Sequence, residues 1–369
     1  MAGLKIMQLS SEKSWRGGEQ QIAYLISYLL RQKVEIVVCS RKGSAFSEWC
    51  ENNNVPYHEL GFKNGADIKT ALKIKQIANK EGIDIVNSHS GKSHSLSYFA
   101  AKLGMNKPIV VHRRVDFPIK KSGFSLSKYN HKNVKAIVCV SNAIASLVKK
   151  AVNQPERVKT VYSGIDPERF THNPATKYIH KELGIDPSKK LLANISAIAP
   201  HKDYETFLRT ARAVIDKRKD CHFIIVGDGR LKGEMESICK VLNLESHVTF
   251  TGFRKDIPLL FRELSVFLIT SETEGLGTTV IDALYNGVPI VATKAGGIPE
   301  LVIDGEVGFL CPIGNPVCLA EKIGLLLDSD KLRQEMGQNA TNRSKLFTNE
   351  KMGDGVLKVY NSVLDNLQP

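Results

Sequence analysis

The chain has 369 residues, 51 Lys and Arg against 38 Asp and Glu, a formal net charge of +13 and 42% hydrophobic residues. That length is too great for one ordinary core and suits two domains of similar size. The composition is that of a globular protein, and no apolar run reaches the roughly 18 residues of a membrane-spanning helix.

The elements alternate along the chain. The start, MAGLKIMQLSSEK, reads as a first strand and not as a signal peptide. KIMQL, VEIVVC, DIVNS, PIVVH and AIVCV are predicted strands of the first half. LLANIS, HFIIVG, HVTFTG, SVFLIT, PIVAT and GFLCP are those of the second. Between them lie amphipathic stretches such as EQQIAYLISYLLRQ, ALKIKQIANK, ETFLRTARAVIDK and CLAEKIGLLLD. Apolar strands separated by helices imply parallel sheets covered on both faces, hence α/β, doubly wound domains. The alternation restarts after residue 162, where YSGIDPERFTHNPATK is polar and turn-rich, giving a linker near 163–174. The expected organisation is a Rossmann-like domain over 1–165, a second over 166–348, and a terminal helix over 349–369 that packs back towards the first.

The charge is uneven. Residues 1–165 hold 26 Lys and Arg against 11 Asp and Glu, while the remainder holds 25 against 27. The densest part, 112–135, has seven basic residues and one acid, with Phe117, Phe124, Leu126 and Tyr129 interleaved. Basic plus aromatic suits an anionic membrane face, an anionic substrate or nucleic acid, or simply a solvated surface. The seven cysteines lack CxxC spacing, and Cys39 and Cys139 fall in predicted core strands. Reduced thiols in a cytoplasmic compartment are therefore expected, without a disulfide framework or a zinc site.

One stretch carries chemistry. EGLGTTVID (274–282) follows an apolar strand and opens a helix, with carboxylates at Glu274 and Asp282. A glycine turn before a helix offers backbone N–H groups and a positive helix end to an anion. Helical spacing then predicts Asp282 about two turns in, on nearly the same face as Glu274. A competing fingerprint, VGDGRLKGEM (226–235), has its third glycine one position late for dinucleotide binding and follows the wrong strand.

These motifs resemble the retaining glycosyltransferases of family 4, whose GT-B fold sets two Rossmann-like domains facing each other across a cleft. EGLGTTVID resembles the family's E-x7-E signature, and SSEKSWRGGEQQIAYLISYLL its glycine-glycine loop after the first strand. DIVNSHSGKS, IVVHRRVDF, VYSGIDPERF, ISAIAPHKDYETFLRTA, VTFTGFRKDIP and VPIVATKAGGIPELVIDGEVGFL are similar to further family segments, in the family's order. Two departures stand out. The second acid is Asp282, one methylene shorter than Glu, and the family's arginine ahead of the lysine is Ala197 here, leaving Lys202 as the cation of that motif.

The resemblance implies an enzyme that moves a sugar from a nucleotide-sugar donor, a UDP-sugar foremost, to a glycan or lipid-linked acceptor of a cell-surface polysaccharide such as lipopolysaccharide or capsule. Leaving-group charge must be stabilised, and Lys202 with the amides of Gly277, Thr278 and Thr279 can do so without metal or cofactor. Gly17 and Gly18 let backbone approach the donor closely. The family assigns Glu274 to the donor sugar, Asp282 to the ribose, and Phe253 with Arg254 to the base. His112, ending the fifth strand, is expected at the reaction centre, with His89 a further candidate. Arg16, Arg113 and Arg114 are candidates for the missing phosphate charge or for the acceptor. The basic first half is expected to allow peripheral attachment to the inner face of the cytoplasmic membrane. A nucleotide-sugar epimerase of the same fold and a nucleic-acid-binding module are the alternatives. No nucleic-acid-binding word supports the latter.

Overall fold

The computed structural model describes residues 3–120, 123–170 and 177–367. Lys121 of the basic stretch and residues 171–174 of the expected linker lie outside them. The chain divides between Gly164 and Ile165, and again between Thr348 and Asn349, into two compact units. Ile165 belongs to the second unit because its N–H donates to Phe347 O at 2.8 Å and it bridges Thr348.

The first unit holds β1 (Lys5–Ser10), β2 (Glu35–Arg41), β3 (Tyr57–Leu60), β4 (Ile85–Ser88), β5 (Ile109–Arg113), β6 (Val134–Cys139) and β7 (Val158–Thr160). They form one parallel sheet in the order β3-β2-β1-β4-β5-β6-β7. The two edge strands, four and three residues long, were not among the predicted strands; neither carries an apolar run of the kind that marks a buried strand. The second unit holds β8 (Lys190–Ile195), β9 (Cys221–Val226), β10 (Val248–Gly252), β11 (Leu264–Ile269), β12 (Ile290–Thr293) and β13 (Gly308–Cys311). Their order is β10-β9-β8-β11-β12-β13, again parallel. Each sheet reverses its strand order once, between β1 and β4 and between β8 and β11, and a ligand-binding crevice opens beyond the strand ends at such a point.

The terminal helix Asn349–Asp365 packs on the helix Gly17–Arg31 of the first unit. Glycine is required at Gly353, where any Cβ would overlap the Tyr28 ring. Tyr28 Oη donates to Asp354 next to that contact. Further along, the fully buried Tyr360 reaches Asn87 of β4, with Asn87 Nδ2 2.6 Å from its hydroxyl oxygen.

The thiol expectation needs one correction. Cys311, ending β13, and Cys318, in the first turn of the helix Pro316–Asp328, form a disulfide with Cα atoms 5.9 Å apart. The tight connection from strand to helix brings them within bonding range across seven residues. Cys39, Cys50, Cys139, Cys221 and Cys239 are free and buried.

Candidate active site

In the second unit, β8 runs into a loop that carries Lys202 on a single turn, Pro200–Lys202. Asp203 then adopts a left-handed conformation (φ 46°) and caps the helix Tyr204–Lys217, accepting from Thr206 N at 3.0 Å. Thr270, just past β11, fixes this turn by donating to the carbonyls of Lys202 and Asp203 at 3.1 and 2.9 Å. The loop is held from the other side by VGDG. Ser196 N donates to Val226 O and Ile198 N to Asp228 O, each at 3.0 Å. A Cβ on Gly227 would overlap Ser196 O, and one on Gly229 would overlap Ile198 O. Those two glycines, set aside above as a failed dinucleotide motif, are what lets the lysine loop lie where it does.

Glu274 stands opposite. Lys202 Nζ and Glu274 Oε2 form an ion pair whose side chains are only 15% and 14% exposed. Ser271 Oγ donates to the same carboxylate oxygen at 3.3 Å, and Gly297 N donates to Glu274 O at 3.0 Å. Gly277 (φ 87°) turns the chain into the helix Thr278–Tyr285. The amides of Gly277, Thr278 and Thr279 thus open a helix whose first N–H groups have no acceptor within it.

Asp282 corrects the expected geometry. The helix begins at Thr278, so Asp282 is its fifth residue and little more than one turn in. Glu274 precedes the helix, and the 100° helical step does not relate the two acids. Asp282 is 9% exposed, and Arg169 Nη1 lies 3.9 Å from its Oδ1. Burial pushes its carboxyl up to about 6, against the pull of the arginine. Arg169, in the turn Pro167–Phe170, was not singled out from the sequence.

The loop after β10 splits its two candidates. Phe253 is 72% exposed. Arg254, expected at the base, is instead committed within the unit: Nη1 and Nη2 bond Glu182 at 3.0 and 2.6 Å, and Nε bonds Asp256 at 2.9 Å. Burial works against its charge, and the two carboxylates more than offset it, so its pKa is raised. Every nitrogen of the guanidinium makes a contact within the unit, which leaves one N–H, on Nη1, beyond these bonds.

The first unit gathers a second constellation at the carboxyl ends of β4 and β5. Arg114 donates from Nη1 and Nη2 to His89 Nδ1, both at 3.2 Å. His89 must then carry its proton on Nε2, which lies 2.6 Å from Gln8 Oε1. The His112 ring sits 4.6 Å from that of His89, and its buried Nε2 has no partner among the described residues. Burial first, then Arg114, hold His112 well below the usual histidine range, so it is neutral. His89 is depressed likewise by burial, with His112 and Arg114 adding to it. Glu19, buried in the first turn of the helix that Gly17 and Gly18 open, lies close enough to Arg114 to favour its charge against the effect of burial. A Cβ on Gly18 would meet nothing within 4 Å, so that glycine leaves space rather than filling it.

The remaining arginines do not join this cluster. Arg16 is exposed at the helix start, where its Nε donates to Ser14 Oγ at 3.2 Å. Arg113 bonds Tyr129 Oη at 2.8 Å and Phe117 O. Lys128 of the basic stretch is also engaged, with Gly91 O and Ser95 Oγ at 3.3 and 3.2 Å, whereas Phe117, Lys120, Phe124 and Lys132 are exposed.

Comparison with known proteins bears on both units. Residues 15–169 match Glycosyltransferase Family 4, and residues 176–343 match Glycosyl transferases group 1. The chain belongs to the family 4 glycosyltransferases. It is 27% identical over 325 residues to the N-acetyl-alpha-D-glucosaminyl L-malate synthase of Bacillus anthracis, covering 84% of this chain and 85% of that protein. It is 25% identical over 299 residues to the UDP-Gal:alpha-D-GlcNAc-diphosphoundecaprenol alpha-1,3-galactosyltransferase of Escherichia coli, covering 75% and 74%. The crystal structure of Anabaena Alr3699/HepE in complex with UDP and glucose shares the fold, with a TM-score of 0.85 at 23% identity over 97% of this chain and all of that one. This family 4 glycosyltransferase thus has the two-domain α/β architecture of the GT-B enzymes. Among its described residues no helix is long and apolar enough to cross a membrane.

Proposed function

We propose that this glycosyltransferase is a retaining enzyme that takes its sugar from a UDP-sugar and passes it to a glycan or lipid-linked acceptor of a cell-surface polysaccharide. The observation that carries the reading is the Lys202–Glu274 pair beside the start of the helix Thr278–Tyr285. A diphosphate entering there would take Lys202 and the helix amides as its counter-charge, freeing Glu274 for the hydroxyls of the donor sugar. Asp282 would accept from the ribose hydroxyls. Phe253, the exposed member of its loop, would stack on the base.

In the reaction the bond from the anomeric carbon to the β-phosphate oxygen breaks, and its electron pair leaves with the nucleotide. The acceptor oxygen bonds the same carbon on the same face, and its proton passes to the departing phosphate. The protein's work is stabilising the leaving dianion and aligning the acceptor, and lysine plus helix end supply the positive charge without calling on a metal. The neutral His112, with its unpartnered Nε2, would serve as a hydrogen-bonding group to a sugar hydroxyl.

A UDP donor is supported by the UDP-sugar in the name of the Escherichia coli relative and by UDP in the Anabaena structure. The former's diphosphoundecaprenol acceptor supports a lipid-linked one here. A second reading, a small carboxylate acceptor, is favoured by the L-malate relative together with half-buried Arg114, which has no carboxylate hydrogen-bonded to it among the described residues. The exposed Phe117, Lys120, Phe124 and Lys132 support reversible attachment to an anionic membrane. The test is a transfer assay pairing UDP-, GDP- and ADP-sugars with a lipid-diphosphate saccharide and with L-malate, the product's anomeric configuration being read by proton NMR. Transfer from a UDP-sugar with the donor's configuration kept supports the proposal; an inverted product, or conversion of donor alone into another nucleotide-sugar, contradicts it.

A further inference from the structure

The candidate groups of the first unit all lie at the carboxyl ends of its strands. A different concavity opens at the amino ends. It is a groove of about 640 Å³ between the edge of the sheet and the second half of the terminal helix. Lys135 enters it from the start of β6, Arg157 and Lys159 from around the start of β7, and Lys358 from the helix. Val359 and Val363 of that helix, both largely buried in the unit's core, and Leu367 just past its end line the apolar side.

Four cations line this groove against a single acid, Glu156. Arg157 is anchored by donation to Val134 O at 2.9 Å. The side-chain amines of Lys135, Lys159 and Lys358 form no ion pair or hydrogen bond among the described residues. Lysines that merely complemented the negative end of the terminal helix would bond its last carbonyls, and none of the three does. Like charges gathered in a concavity repel one another, and the repulsion is relieved by a multiply charged anion. The volume lies within the range of small-molecule sites.

We infer that this groove is a second binding site, separate from the sugar-transfer site, for a ligand bearing a phosphate or diphosphate group. The phosphate oxygens bind Lys135, Lys159 and Lys358, and the aliphatic part of the ligand lies against Leu367, the exposed apolar residue of the lining. The ligand is either a soluble phosphorylated molecule or a phospholipid headgroup, and the chemistry that holds it is the same.

The test is lysine acetylation of the full chain read residue by residue by mass spectrometry, with Lys331, whose side chain is 87% exposed, as the reference. Two probes are used: inorganic pyrophosphate, and phosphatidylcholine vesicles carrying phosphatidic acid. At a probe concentration about ten times Kd, acetylation of Lys135, Lys159 and Lys358 slows about tenfold relative to Lys331. Protection by pyrophosphate assigns a soluble ligand, and protection by the vesicles alone assigns a headgroup. In the K135Q/K159Q/K358Q variant, the groove's share of the protecting probe's binding is lost while the melting temperature holds. If neither probe protects the three lysines beyond Lys331, or the variant binds the probe as the parent does, the groove is a solvated basic face and the inference fails.

Discussion

Replacing Asp282 by Asn separates what the residue costs the fold from what it gives the ligand. In the native chain its carboxyl titrates at about 6, against an ordinary value of 3.8, because it is buried and Arg169 at 3.9 Å only partly offsets the loss of water. At 1.36 kcal/mol per pKa unit, a shift of roughly two units corresponds to about 3 kcal/mol between the two protonation states. The sign follows from proton binding. The unfolded chain releases this proton near 3.8 and the native chain holds it to about 6. The stability it contributes is therefore complete below the lower value and is lost as pH rises through the higher one. Asn cannot ionise, so D282N should exceed the parent in stability by up to about 3 kcal/mol at pH 7.5, and the gap should shrink to about half of that by pH 5 and vanish only as pH falls below 3.8. Urea unfolding of both proteins across that range measures it. Nucleotide binding should move the other way. Ribose hydroxyls donate to the carboxylate, so D282N should bind UDP more weakly although it is the more stable protein, and the parent's UDP affinity should fall below pH 6. A stability difference that does not change with pH would refute the reasoning.

Lys202→Ala should weaken UDP binding by about 1.5–3 kcal/mol, the worth of a charge-assisted contact, as read by calorimetry. Gly229→Ala should destabilise the second unit by about 2 kcal/mol or more and disturb nucleotide binding with it, because the new Cβ meets the Ile198 carbonyl and not a side chain that can move. Thermal unfolding with and without UDP checks both effects. Transfer should persist in excess chelator, with activity lost there and restored by magnesium or manganese as the opposing result. Lys120→Gln with Lys132→Gln should cut co-sedimentation with anionic vesicles at about 0.1 M salt, where the Debye length is near 10 Å, and matter little at 1 M.

The parallel sheets were legible because their inner strands are continuous apolar runs. The edge strands Tyr57–Leu60 and Val158–Thr160 lack such runs, and neighbouring strands alone establish them. EGLGTTVID was legible as strand, turn and helix, yet the turn extends through Gly277, which places Asp282 in a shallower and more buried position than helical counting allowed. What stayed hidden depends on partners distant in the chain. Arg254 is claimed by Glu182, 72 residues away, and Asn87 meets Tyr360 across 273. Spacing carried no sign of either pairing. Gly227 and Gly229 did carry a signal, a Gly-x-Gly after a buried strand, but its cause is close packing on the lysine loop. Cys311 and Cys318 were read for metal and framework patterns, whereas their pairing rests on one local strand-to-helix connection.

The central claim is that Glu274 acts on the donor sugar while Lys202 holds the phosphates. The most direct measurement is the affinity of Glu274→Ala for UDP and for the UDP-sugar, taken with its rate of transfer. Loss of the carboxylate frees Lys202 from its ion pair without touching the helix amides. The account predicts UDP binding at least as tight as the parent's, loss of the added affinity due to the sugar, and abolished transfer. Turnover at the parent's rate would contradict it.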